Sequence, residues 1–337
     1  MGGRVNRDTG SVRATPVLTV CVCTFHRLQF LAALLRSLAT QSVAADRIEI
    51  VIVDNDPAGS AESVVHQFSQ KHPNAAIRYV VEGKPGVSHA RNRAVAESRA
   101  AMLAFIDDDE VASFDWLERL LLAAAQFQAD VVLGPTRVTL APGLPDWVRQ
   151  LNRRSHLDDL LTGQEVPRGM GGAGNVLIRR SALGVRAALP FDPRLTHTGG
   201  EDGDLFNWMR DQGARVVWSA EAVCWESLGP ERLTIRFYVQ RSLTFATVHW
   251  RGVYRRSGSL RVAALALVGL SMVIGFGLVS LVAWPVVRRR AVPLVLLSAR
   301  GAGRLLALTS VDLPIYGVPP LTGAAECKAL SGTDRRP

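Results

Sequence analysis

The stretch Ala104-Phe105-Ile106-Asp107-Asp108-Asp109-Glu110 decides how this chain is read. An apolar run over residues 101–106 delivers three consecutive aspartates to its carboxyl end, and Trp116-Leu117 with the apolar residues 120–125 follows as a helix. In an open α/β sheet, ligands sit outside the carboxyl ends of the strands. Carboxylates placed there hold a hard divalent cation through oxygen, and Mg²⁺ or Mn²⁺ commonly bridges to substrate phosphates. Three adjacent acids repel one another, so a bound cation would account for their clustering. A solvated turn, its acids favouring the N-terminus of the following helix, is the alternative.

Upstream, strand and helix patterns alternate. Residues 17–23 are β-branched-rich and strand-like, and Thr24-Phe25-His26-Arg27 turns out of them. Leu31, Leu34, Leu35 and Leu38 then mark one face of a helix. Residues 48–53 form a second strand, closed by Asp54-Asn55-Asp56-Pro57. A helix over 61–70, a short strand over 77–81, the break Gly83-Lys84-Pro85-Gly86 and a helix over 87–99 lead back to the aspartates. Such alternation predicts a mostly parallel sheet, and right-handed crossovers would bring Asp54 and Asp107–Asp109 to one edge. Neither GxGxxG nor GxxxxGK[ST] is present, so the dinucleotide fingerprint and the P-loop are both excluded.

Downstream the pattern is less regular. Residues 130–134 and 137–140 read as strands, 152–172 as a loop region, and Gly171-Gly172-Ala173-Gly174-Asn175 leads into a strand over 176–178. Gly200-Glu201-Asp202-Gly203-Asp204 opens a helix over 205–212, and residues 214–218 are a further strand.

The 337 residues carry a net charge of +9, almost all of it from arginine, since Lys71, Lys84 and Lys328 are the only lysines. This balance suits nucleic acid, a negatively charged membrane or an anionic substrate alike. No aromatic-basic interleaving or nucleic-acid module accompanies it, so a nucleic-acid partner is not expected. Cys21 and Cys23 share one face of a strand, while Cys224 and Cys327 stand alone, so the cysteines are read as packing residues. No Cys/His spacing suggests zinc, and His26, His89, His197 and His249 show no metal-binding spacing. The short apolar run after Arg4, Arg7 and Arg13 lacks a cleavage site, so residues 1–15 are read as a mobile tail rather than a signal peptide.

Five stretches, in order, resemble the inverting family 2 glycosyltransferases with the GT-A fold, a Rossmann-like mixed α/β sheet. They are Thr24-Phe25-His26-Arg27, Val53-Asp54-Asn55-Asp56, Lys84-Pro85-Gly86-Val87-Ser88-His89-Ala90-Arg91-Asn92, Asp107-Asp108-Asp109 and Gly200-Glu201-Asp202-Gly203-Asp204. The match covers roughly residues 17–250 and is similar in particular to succinoglycan-type exopolysaccharide glucosyltransferases, with Arg232 and Arg241 supporting it. The resemblance implies that Thr24 and Arg27 lie by the nucleotide base and that Asp54 accepts a hydrogen bond from that base, expected to be uracil. It places Arg91, and less directly Lys84, near the diphosphate, with Asp107 and Asp108 on the nucleotide-sugar side. Asp109 would hold the Mn²⁺ or Mg²⁺. Asp202 would be the general base on the acceptor hydroxyl, with Glu201 beside it orienting the acceptor. Where processive relatives carry QxxRW, this chain reads Gln240-Arg241-Ser242, which favours addition of a single sugar over polymerisation.

Residues 262–287 carry no charge. As a helix they would be about 39 Å long, enough for a ~30 Å hydrocarbon core. Arginines flank them on both sides, so the charge rule gives no orientation. A second, weaker apolar stretch follows over 291–315. The expected organisation is a tail over 1–15, a catalytic domain over 16–250 and a membrane-associated region over 251–337 with a transmembrane helix at about 262–287. The expected activity is metal-dependent, inverting transfer of a hexose, glucose by the resemblance, from a UDP-sugar to a lipid-linked saccharide. It would serve surface polysaccharide assembly at the cytoplasmic face of the plasma membrane. Transfer to a soluble metabolite or protein, and non-catalytic sugar-nucleotide binding, are the alternatives.

Overall fold

The computed structural model describes residues 16–139, 143–152, 157–196, 198–229, 232–309 and 311, with the side chains of 286–289 outside that description. The expected tail over 1–15, His197, Cys327 and Lys328 lie outside these residues.

Four parallel strands form the frame: β1 (Leu18–Thr24), β2 (Ile48–Asp54), β3 (Ala76–Val81) and β4 (Met102–Asp107), in the spatial order β3-β2-β1-β4. The helices α1 (Leu28–Leu38), α2 (Glu62–Lys71) and α3 (Val87–Glu97) connect them. Beyond β4 the sheet continues through β8 (Asn175–Arg179), antiparallel to it, then β6 (Val131–Leu133) and β9 (Val216–Trp218). The sheet is therefore mixed. β1 and β2 are inner strands covered on both faces, which is why they read as near-continuous apolar runs. Leu18, Val20 and Val22 pack with Leu31, Leu34 and Leu35 of α1 on one face. Cys21, on the other face, packs against Ala90, Ala94 and Val95 of α3. Both thiols of β1 are packing groups there, and burial pushes the Cys21 thiol up to about 12.

Register sets the functional edge. Thr24 pairs with Asp54, and Cys23 with Asp107, so the carboxyl ends of β1, β2 and β4 are level. β8 starts at that same edge, because Asn175 pairs with Ile106. Asn175 is a buried hub: its amide donates to the carbonyls of Pro135 and Ala222 and its oxygen accepts from the Trp116 indole of α4 (Trp116–Gln126). A second sheet of three short strands, β5 (Glu110–Ala112), β10 (Cys224–Glu226) and β7 (Thr136–Val138), folds over the aspartates. Sequence periodicity does not reveal β5 or β10.

The helix α5 (Asp146–Leu151) follows β7, and α6 (Glu201–Asp211) precedes β9. The remainder is helical: α7 (Ile235–Arg255), α8 (Ser259–Val287) and α9 (Val292–Leu306). The domain boundary expected at residue 250 falls inside α7, which is continuous and packs against the catalytic sheet domain and against α9. Among the described residues, α8 is the one helix long and apolar enough to cross a membrane.

Candidate active site

Two backbone approaches assemble the site. Gly86 caps α3 with φ 117°, and a Cβ there would stand 2.2 Å from Thr196 Oγ1. Asn55 locks the same turn, donating to the carbonyls of Glu82 and Lys84 and accepting from the Gly86 N–H. Gly200 caps α6 with φ 89°, where a Cβ would meet Val248 of α7 at 2.4 Å. Glycine at both positions lets α3, α6 and α7 converge on the carboxyl edge of the sheet.

The convergence surrounds a cavity of about 490 Å³, into which Arg91, Asp107, Glu110, Glu201 and Asp202 all reach. Arg91, in the middle of α3, is buried and bridges two acids: Nη1 donates to Glu201 Oε1 and Nη2 to Asp107 Oδ1 at 3.3 Å. Its charge is locked in place, because those carboxylates outweigh the cost of burial and hold its pKa above the usual guanidinium value. Glu201 is 3% exposed. Burial, then the neighbouring Asp202 charge, pushes its carboxyl up to about 7 against the opposing pull of Arg91. Its Oε2 has no partner in the described structure. Asp202 is half-buried; Oδ1 accepts from the Gly203 N–H at 2.6 Å and Oδ2 from the Ala173 N–H at 3.2 Å. These bonds orient its carboxylate at the cavity wall, whereas Glu201 is turned onto Arg91 and orients that residue. The structure thus separates two neighbours that stand side by side in the sequence.

Thr24, Arg27, Asp108 and Asp109 form a second, contiguous network. Thr24 Oγ1 donates to Asp108 Oδ2 at 2.8 Å, and Arg27 Nη1 donates to Asp108 Oδ1 at 3.2 Å and Asp109 Oδ2 at 2.7 Å. Arg232, delivered by the segment after β10, closes Asp109 from the other side at 2.8 Å while also pairing with Glu226. Glu226 itself stands opposite Glu110 across the β10–β5 ladder. Asp109, the expected metal ligand, is 5% exposed and enclosed by two guanidinium groups. The carboxylate open to the cavity is Asp107, whose side chain is 48% exposed.

A divalent cation would need oxygen donors facing a common space. Asp107 Oδ2 and Glu110 Oε1 each lie 2.9 Å from the point a Cβ on Gly174 would occupy, and Glu110 Oε2 is buried without a partner. The glycine therefore leaves a small space faced by two carboxylates. Among the described residues no three acidic, Cys or His side chains form a closed cage. That is compatible with Mg²⁺, which keeps several waters and usually takes one or two carboxylates plus substrate phosphates. Asp107 and Glu110 fit the group; Asp109 fits only where Arg27 and Arg232 release it.

Two further expected residues stand outside these two networks. Asp54 is fully buried, and its oxygens accept from the Asp56 N–H, the Ala61 N–H and the Tyr79 hydroxyl, at 3.0, 2.7 and 2.8 Å. These bonds shape the loop after β2. Lys84 is exposed and joins neither network; its backbone carbonyl, not its ammonium, is used. Glu110 and Glu226 escape a reading of the sequence because β5 and β10, which aim them, are invisible to periodicity.

The family model Glycosyl transferase family 2 matches residues 19–185. The succinoglycan biosynthesis protein ExoM of Rhizobium meliloti (strain 1021) is 34% identical over 254 residues, which is 75% of this chain and 80% of that protein. The chain belongs to the family 2 glycosyltransferases. Validoxylamine A glucosyltransferase of Streptomyces hygroscopicus subsp. jinggangensis is 30% identical over 128 residues, 37% of this chain and 30% of its own length. Among solved structures, the mannosyltransferase PcManGT of Pyrobaculum calidifontis, in complex with GDP-Man and Mn²⁺, has a TM-score of 0.61 at 17% identity, covering 88% of each chain. S. aureus TarS in complex with UDP-GlcNAc has a TM-score of 0.52 at 17% identity, over 68% of this chain and 66% of that one. At these identities the structural likeness establishes the GT-A fold alone.

Proposed function

We propose that this enzyme transfers a single hexose, with inversion, from a UDP-sugar to a lipid-linked saccharide during bacterial surface polysaccharide assembly. The observation that carries the reading is that Asp202 and the Arg91–Asp107 pair line one cavity. Inversion requires a base on the face opposite the leaving group. One Asp202 oxygen takes the acceptor hydroxyl proton as that hydroxyl's oxygen bonds to the anomeric carbon. The bond from that carbon to the diphosphate breaks on the far side, and the electron pair leaves with the phosphate. Arg91, held by Glu201 and Asp107, brings a fixed positive charge to the side where that negative charge grows, which is electrostatic stabilisation with little reorganisation.

A divalent cation would be held by Asp107, with Glu110 behind it, and when bound it would supply neutralisation of the diphosphate. Mn²⁺ beside GDP-Man in PcManGT supports that expectation for the fold. Kinship with ExoM, a succinoglycan biosynthesis protein, and the long apolar α8 support a membrane-borne acceptor reached from the cytoplasmic side.

Isothermal titration of the full chain with UDP and GDP, each in Mn²⁺ and in EDTA, tests the donor. UDP binding that disappears in EDTA is expected, and equal binding of GDP would overturn the base preference. Transfer of labelled hexose from UDP-sugars into a lipid extract, but not onto soluble saccharides, is the expected acceptor result.

A further inference from the structure

The flank of the catalytic domain bears on how the chain meets the membrane. Residues 262–287 are uncharged, and only 6% of the most apolar window of α8 is buried inside the protein. Leu267, Ile274, Leu278, Leu281 and Val282 are each more than half exposed. An all-round apolar helix of this kind belongs in lipid. Its length would allow a crossing, but its attachments run the other way.

α7 lies along the catalytic domain from end to end. Near its start, the Tyr238 ring packs edge-on against Trp147 of α5 at 5.4 Å between centroids. Just past its end, Arg256 pairs with Asp211 at the close of α6 at 3.5 Å. Between these points Arg241, Phe245 and Val248 line the active-site cavity. α9 runs parallel to α7 on the side away from the cavity. Val292 and Leu296 of α9 join the Tyr238 cluster, a Cβ on Gly303 would stand 2.5 Å from the Leu243 carbonyl, and Arg304 stacks on Trp250 at 4.1 Å. α8 returns antiparallel along α9, with Gly301 against Gly269 and Met272, and Ser298 against Gly277. The layers run cavity, α7, α9, α8, and the α8 axis follows the flank of the domain.

A helix so fixed cannot stand perpendicular to a bilayer without carrying α7, Arg241 and the cavity wall into hydrocarbon, where charged groups are strongly disfavoured. α9, at 15 residues and with Arg300 and Arg304, is too short to return across alone. We infer that α8 lies in the plane of the membrane, immersed in one leaflet, with both of its ends on the cytoplasmic face. A helix about 10–12 Å across fits within half of a ~30 Å core. α9 joins the apolar α8 to α7 and so to the catalytic domain. Exposed Arg255 and Arg261 at one end and Arg290 at the other are placed to meet anionic headgroups. The active site is then held at a fixed height over the leaflet with α7 as the partition, which suits an acceptor sugar carried on a lipid.

This inference rests on the membrane attachment proposed above, and its test separates the two. Gly258→Cys, where an added Cβ meets nothing within 4 Å, and Arg290→Cys are made in the full chain with Cys23 and Cys327 replaced by serine. UDP titration confirms that each variant is folded, and Ser257→Cys substitutes for the first if it is not. A membrane-impermeant maleimide is applied to spheroplasts and to inside-out vesicles. Both positions are expected to label only in inside-out vesicles. Labelling from opposite faces, or failure of the Arg290→Cys site to label from the cytoplasmic face, overturns the in-plane arrangement and leaves attachment standing. Recovery of folded protein in the soluble fraction overturns both.

Discussion

Asp202→Asn separates chemistry from architecture more cleanly than any other change at this site. The carboxylate makes two hydrogen bonds, from the Gly203 and Ala173 N–H groups, and it is half-buried. Asparagine keeps one oxygen acceptor and loses the other, worth about 0.5–1.5 kcal/mol. Removing a charge from the first turn of α6 adds about 0.3–1 kcal/mol. The stability cost is therefore about 1–2.5 kcal/mol, small beside the breaking of a buried ion pair. Loss of a positioned base costs about 10²–10⁴-fold in turnover, or about 2.7–5.4 kcal/mol of barrier. The two magnitudes are separable by urea unfolding and single-turnover hexose transfer on the same preparation, with UDP affinity as the control for an intact donor site. Neutralising Asp202 also removes a charge that raises the Glu201 carboxyl, so the Glu201 pKa should fall. Turnover within about tenfold of the parent, with folding and UDP binding preserved, refutes Asp202 as the base.

Asp107→Ala should abolish Mn²⁺-dependent UDP binding with little loss of stability, because that side chain is half-exposed, whereas Asp109→Ala should cost more stability by taking one of two carboxylates from each of Arg27 and Arg232, which keep Asp108 and Glu226. Titration and urea unfolding of the pair check this, and the reverse ranking would restore Asp109 as the cation ligand. Gly174→Ala places a methyl 2.9 Å from both Asp107 Oδ2 and Glu110 Oε1, and should weaken Mn²⁺-dependent UDP binding by about 10–100-fold; unchanged affinity removes the proposed cradle. Glu201, at about 7 in the folded chain against 4.5, binds its proton more tightly when folded. Its contribution is thus full below about pH 4.5 and lost as pH rises through 7, by up to about 3 kcal/mol, so urea midpoints in EDTA should fall over that range for the parent and less for Glu201→Gln. Tyr79→Phe removes one donor from the buried Asp54 carboxylate and should cost about 1.5–3 kcal/mol in unfolding; no change would show that the loop does not depend on it.

Periodicity alone locates β1, β2 and β4, because inner parallel strands are apolar on both faces and end abruptly in acids. The level ends of Thr24, Asp54 and Asp107 follow from parallel pairing. Which aspartate faces the cavity does not follow. In Asp107-Asp108-Asp109 the choice depends on Arg232, well over a hundred positions away and aimed by a strand of three residues. Asp54 is legible as a strand-end acid but not as a buried one, since the donors that saturate it come from the next loop and from β3. The length of α7 is hidden for another reason. Its two working faces, one on the cavity and one on α9, leave a mixture of aromatic, polar and basic residues with no single apolar stripe to mark where it ends.

The acidic cluster is organised as a chain of guanidinium bridges. Arg27 joins Asp108 to Asp109, Arg232 joins Asp109 to Glu226, and Arg91 joins Asp107 to Glu201. Between them these arginines reach acids on several elements, so the electrostatics that gather the carboxylates also fasten β1, β4, β10, α3 and α6 together. Most of the acidic residues are occupied by that bridging. Asp107, half-exposed, and Asp202, held by backbone amides, retain carboxylate surface toward the cavity. Division of labour on this pattern explains why so much acid is needed for one transfer reaction: the buried members fix the arginines, and the fixed arginines leave the two open carboxylates aimed. The same helix that walls this space, α7, also carries α9 and through it α8. With α8 in the leaflet as inferred above, rigid helix packing would set the height of Asp202 over the lipid, and a lipid-borne acceptor would have to come to that carboxylate.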